Sequence, residues 1–72
     1  MAKYQRIKDL RTNNNFTQAQ IAEYLHVKQS TYSQYETGSR DISVNAIDKL
    51  SDFYNVSIEY ILGRTNNPEL NK

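Results

Sequence analysis

Gln29, Ser30, Ser33, Gln34 and Thr37 fall close together in "HVKQSTYSQYETG", residues 26–38. Each side chain carries both hydrogen-bond donors and acceptors, and glutamine is long enough to meet adenine N6 and N7 bidentately from a major groove. On a helix turning about 100° per residue, with Gln29 at zero, these five side chains fan across roughly 0° to 140°. Tyr32 and Tyr35 share the opposite flank. One face can pack while the other offers amides and hydroxyls. Such a face can simply be solvated, but surface helices are normally filled with Glu, Lys and Arg, whereas Ser and Thr lower helix propensity. A face with three such residues, Ser30, Ser33 and Thr37, and no acid before Glu36 suits contact with a polyanion or with base edges.

The elements that must hold this segment are helical throughout. Apolar residues recur at three- and four-residue steps: Ile7 with Leu10, Ile21 and Ala22 with Leu25, then Val44, Ile47, Leu50 and Phe53. No segment keeps the alternation of a strand. "NNN" at 13–15 closes a first helix, because Asn tolerates the left-handed backbone that ends helices. Thr17 with Gln20 forms a capping box that opens a second helix over about 18–25. "HV" leaves only a tight turn before the third helix, which stops at Gly38. Ser43 caps a fourth helix through about Tyr54, Asn55 suits its exit, and Ser57 caps a short fifth helix ending at Gly63. The predicted fold is an all-α bundle of five helices. Its expected core is Ile7, Leu10, Phe16, Ile21, Ala22, Leu25, Val27, Tyr32, Tyr35, Val44, Ile47, Leu50, Val56, Ile58, Ile61 and Leu62. Residues 1–64 form the expected domain, and the polar stretch 65–72, with the only proline, is expected to be a flexible tail.

Composition narrows the function classes. A chain of 72 residues makes one domain, and at that size folding buries only about 60% of the exposed surface. There is no cysteine to supply a disulfide or a thiolate ligand. The net charge is +1, but residues 1–40 carry six Lys/Arg against three acids, and residues 41–72 carry three against five. A polyanion would prefer the N-terminal half. "MAKYQRIKDL" lacks the apolar run of a signal peptide, and nothing approaches the ~20 apolar residues of a membrane span, so a cytoplasmic protein with no membrane partner is expected. His26 is the only histidine, no carboxylates cluster near it in sequence, and two glycines cannot build a phosphate cradle. Neither enzymatic activity, a metal, a cofactor nor a small-molecule ligand is expected. The six tyrosines raise stacking on single-stranded nucleic acid as an alternative, though Tyr32, Tyr35, Tyr54 and Tyr60 lie at core spacing.

Together "IKDLR", "TQAQIAEYL", "QSTYSQYETG" and "LSDFYNVSIEYILG" resemble the Cro and lambda-type repressor family of bacterial regulators from about Ile7 to Gly63. The resemblance implies a lambda-repressor-like bundle with a helix-turn-helix in its second and third helices, the third entering the major groove of double-stranded DNA. It implies base contacts from Gln29, Ser30 and Gln34, with Thr31 and Ser33 nearby, and backbone contacts from Gln18, Lys28, Thr37 and Arg40. Arg11 and Glu36 match a structural ion pair between the first and third helices. The implied function is a transcriptional regulator, a repressor binding a pseudo-palindromic operator as a homodimer, with the dimer contact around the fifth helix and its tail, where Tyr60 and Leu62 are expected to be exposed. The alternative is a protein-interaction module of antitoxin or anti-repressor type on the same scaffold. His26 and Asn15 stand where the family commonly has glycine, and Lys28 replaces the usual Ser or Thr cap of the third helix.

Overall fold

A computed structural model describes residues 4–69. Five helices follow in order: α1 (Gln5–Asn13), α2 (Gln18–Leu25), α3 (Gln29–Thr37), α4 (Val44–Tyr54) and α5 (Ile58–Ile61). No strand occurs among the described residues, and none of the helices there is long and apolar enough to cross a membrane.

One local device ends four of the helices. A residue in the left-handed region turns the chain, and the next residue's N–H reaches the carbonyl five positions back, satisfying an orphan acceptor of the helix end. Asn15 (φ 62°), His26 (φ 59°), Asn55 (φ 56°) and Gly63 (φ 75°) make the turn. Phe16 then donates to Arg11 O at 3.0 Å, Val27 to Ala22 O at 3.0 Å, Val56 to Ser51 O at 3.1 Å and Arg64 to Glu59 O at 2.9 Å. In three cases the following residue is apolar and packs on or into the core, so each exit also fixes where the next helix begins. In the asparagine triplet the helix ends at Asn13, and the third asparagine takes the left-handed conformation.

Helix starts are equally local. Thr17 Oγ1 accepts from Gln20 N at 3.1 Å while Thr17 N donates to Gln20 Oε1 at 2.8 Å, closing the capping box. Ser43 caps α4 through Ala46 N, and Ser57 caps α5 through Tyr60 N. Lys28 begins α3 with no side-chain cap.

The core centres on Ile7, Ile21, Tyr32, Leu50 and Ile61, contributed by all five helices. Ala22, Leu25, Tyr35, Ile47 and Val56 are also buried, and Leu10, Phe16, Val27 and Leu62 pack against its edge. Two expected core residues are not there: Val44 is 81% exposed and Ile58 is 37% exposed. Val44 has the right helical angle but sits in the first turn of α4. Ile42, in the preceding loop, is buried in the core with Ala46. Ile58 is the first residue of a four-residue helix, whose buried position is Ile61.

The stretch expected to be a flexible tail is, as far as Pro68, hydrogen-bonded to the body. Arg6 Nη1 donates to Tyr60 O at 3.1 Å and to Thr65 O at 2.6 Å, and Nη2 donates to Asn66 Oδ1 at 2.7 Å. Ser57 N donates to Pro68 O at 2.8 Å. Residues 70–72 of that expected tail lie outside the described residues.

Candidate nucleic-acid interface

α3 has two unlike sides. Tyr32, Tyr35 and Glu36 are buried, while Gln29, Ser30, Gln34 and Thr37 are exposed and Thr31 and Ser33 half-buried. Lys28 and Arg40 are exposed at its two ends. The buried tyrosines meet edge to face, with ring centroids 6.4 Å apart, so the helix is seated by rigid aromatic bodies. Its outward side therefore has a fixed orientation.

Beneath that side lies a polar anchor. Arg11 Nε donates to Glu36 Oε2 at 2.7 Å and Nη2 donates to Oε1 at 3.2 Å, a two-point fork from α1 to α3. Arg11 Nη1 also donates to Phe16 O at 2.9 Å, tying the loop before α2 into the same group. Gln18 Nε2, at the start of α2, donates to Glu36 Oε1 at 3.0 Å. One carboxylate thus joins three helices. Burial pushes the Glu36 carboxyl up, but the hydrogen bonds from Arg11 and Gln18, with the nearby Tyr32 hydroxyl, outweigh it and hold the group below the ordinary glutamate value. The hydrogen bond to Glu36 raises the Arg11 guanidinium. Burial, then the neighbouring Glu36, pushes the Tyr32 hydroxyl up, and burial pushes Tyr54 up to about 12. Neither hydroxyl reaches hydrogen-bond geometry with a partner among the described residues. The only acid of α3 is thus buried and ion-paired, leaving no exposed carboxylate between Gln29 and Thr37.

Several polar groups of the expected interface are already engaged. A carboxylate only accepts, so Gln18 must turn its NH2 toward Glu36, which leaves one side-chain N–H and the helix-end backbone for an anion. Thr37 Oγ1 donates to Gln34 O at 3.2 Å and shares a hydrogen bond of 3.0 Å with Ser39 Oγ. Arg40 Nε donates to Gln34 Oε1 at 2.9 Å. Gln29, Ser30 and Lys28 have no side-chain hydrogen bond among the described residues.

Sequence reasoning passed over Gln5 and Lys8. Both line, with Arg11, Gln18, Glu36 and Thr37, a shallow depression of about 380 Å³ where α1, α2 and α3 meet. Lys8 is an exposed cation beside Gln18 and Thr37, and its position one turn before Arg11 was the available signal. Tyr60, expected at a dimer surface, is half-buried under Arg6, whose Cζ lies 4.1 Å from the ring centroid. Leu62 is also half-buried.

A family model described as helix-turn-helix matches residues 7–61. The chain is 38% identical over 64 residues to the HTH-type transcriptional regulator ImmR of Bacillus subtilis (strain 168), covering 89% of this chain and 50% of that protein. It is 35% identical over 65 residues to the uncharacterized HTH-type transcriptional regulator YobD of the same organism, covering 90% and 58%. It is 33% identical over 57 residues to the antitoxin PezA of Streptococcus pneumoniae, covering 79% and 36%. The chain spans about half the length of the curated relatives it matches. No solved structure matches at comparable significance. With its five-helix order, its capped α2, its tight turn at His26 and its outward-facing α3, the chain belongs to the Cro and lambda-type helix-turn-helix family.

Proposed function

We propose that this chain is a transcriptional regulator, a repressor that binds double-stranded DNA sequence-specifically. The observation that carries the reading is the exposed amide and hydroxyl face of Gln29, Ser30 and Gln34, seated from behind by Tyr32, Tyr35 and the buried Arg11–Glu36 pair. Gln29, Ser30 and Gln34 select bases, with Thr31 and Ser33 at their flank. Gln18, Lys28, Thr37 and Arg40 set register on the phosphates, and Lys8 adds a cation on the same side. Few base contacts per copy make a dimer on a pseudo-palindrome the economical arrangement. Half-sites are then about 34 Å apart, a spacing that the 31 Å long axis of one domain nearly spans. On this reading the α5 dimer contact uses the exposed Ile58, since Tyr60 and Leu62 are packed against their own chain.

Selection of duplexes from a random pool tests the proposal. The expected result is a two-fold symmetric consensus. Affinity for it falls steeply with salt, and Gln29→Ala or Gln34→Ala costs ~1–3 kcal/mol at particular base pairs. The similarity to an antitoxin favours one second reading, a scaffold that docks on a partner protein. That reading predicts a pool that emerges unenriched and indifference to both substitutions.

A further inference from the structure

Among the proposed base-contacting residues, Gln34 alone has a side chain already held by another side chain of the described residues. The hold is built by the chain reversal after α3. Gly38 takes the left-handed turn at φ 82°. The backbone then doubles back, so that Gly38 N donates to Gln34 O at 3.0 Å and Arg40 N donates to the same oxygen at 3.3 Å. That places the Arg40 side chain over the last turn, where Nε donates to Gln34 Oε1 at 2.9 Å. A guanidinium has donors and no acceptor, so the amide atom facing it must be the oxygen. The Gln34 NH2 is thereby turned away from Arg40, and it makes no hydrogen bond among the described residues. Gln29 has no such hold, and its amide can rotate to offer either edge.

We propose that Arg40 sets the base preference of Gln34, making it a reader of guanine rather than adenine. The inference rests on α3 being the helix that enters the major groove. Guanine presents two acceptors there, N7 and O6, both of which suit an NH2 group. Adenine presents an acceptor and an N6 amino donor, and bidentate reading of it needs the glutamine oxygen as well. That oxygen keeps a second lone pair, but an N6 amino group approaching it meets the positive guanidinium edge. Gln29, unheld, retains the adenine-reading geometry. Arg40 can do this while also contacting the DNA backbone, because Nε is engaged with Gln34 and the two terminal nitrogens still form a fork for a phosphate. A lysine at this position keeps the charge, but its single ammonium cannot span both partners in a fixed geometry.

The test compares duplex selection by the wild-type chain, Gln34→Ala, Arg40→Lys and the double variant, with circular dichroism confirming that each is folded. Gln34→Ala identifies the base pair that Gln34 reads, as the one where preference disappears. At that pair the wild type is expected to select guanine. Arg40→Lys is expected to keep the salt dependence of binding while its guanine-over-adenine preference falls about tenfold. In the double variant the lysine adds nothing to the loss from Gln34→Ala at that pair. Adenine selected by the wild type there, or an unchanged preference in Arg40→Lys, overturns the inference alone. A pool in which no duplex is enriched overturns the groove-reading of α3 and the inference with it.

Discussion

Replacing Glu36 by glutamine keeps the side-chain volume and removes one charge. Three donors converge on the carboxylate: Arg11 Nε on Oε2, and Arg11 Nη2 with Gln18 Nε2 on Oε1. An amide offers one oxygen and one NH2, so in either orientation a donor faces a donor. If the NH2 replaces Oε2 it meets Arg11 Nε; if it replaces Oε1 it meets the other two. Water offers little repair, because the side chains are 3% and 13% exposed. Removing one partner of a buried pair costs ~3–5 kcal/mol. Arg11 retains its bond to Phe16 O and lies nearer the surface, which brings the expected loss to about 2–3 kcal/mol. A domain of this size has a total stability of roughly 4–11 kcal/mol. At ~4–8 °C per kcal/mol, the melting midpoint should drop by ~10–20 °C, followed by circular dichroism at neutral pH. The double variant Arg11→Met with Glu36→Met should melt close to the wild type or above it, because the cost lies in the stranded cation rather than in the absence of a pair. Glu36→Gln melting within ~3 °C of the wild type would refute the reasoning.

The same carboxylate predicts acid sensitivity. Its pKa in the folded chain is lowered, so its stabilising contribution is present at neutral pH and is lost as the pH falls below about 4.5 and on through the folded value. Urea denaturation across that window should show a steeper loss for the wild type than for Glu36→Gln, and parallel curves would contradict it. His26 is an exposed residue held at φ 59°. His26→Gly should therefore raise stability by ~0.5–1 kcal/mol in a thermal melt, and a fall would show that the imidazole makes a contact worth more than the strain. Lys28→Ser should supply the cap that α3 lacks, adding ~1 kcal/mol to stability. It should also weaken duplex binding evenly across sequences and flatten the salt dependence by about one phosphate. Unchanged DNA affinity would remove Lys28 from the interface.

Much of the scaffold is legible because its signals are local. A capping box at Thr17, serine helix starts at Ser43 and Ser57 and five residues in a left-handed exit lie within a few positions of the bonds they make. The two faces of α3 follow from the same short-range geometry. What escapes is set by distant partners. Periodicity gives Val44 the correct angle around its helix, but it cannot say how far along the axis a neighbour extends, and Ile42 has no helical period to announce its burial. A four-residue α5 is too short for a pattern to separate Ile58 from Ile61. Arg6 fastens residues 60–66 across more than fifty positions of sequence, a pairing no local rule reads. The engagement of Gln18 by Glu36 and of Gln34 by Arg40 is hidden for a similar reason. Residue type indicates that an amide can contact DNA, but only the folded backbone shows which of its two atoms is turned outward.

The most direct measurement of the central claim is a residue-resolved NMR titration of the 15N-labelled chain with a selected duplex. The expected shifts centre on the backbone and side-chain amides of Gln29, Ser30, Ser33 and Gln34, with Gln18 and Arg40 at the margin and Tyr32 and Tyr35 changing little. Duplex binding that instead shifts Tyr24, Phe53 and their neighbours on α2 and α4, with the Gln29 and Gln34 side-chain amides unmoved, would contradict the account.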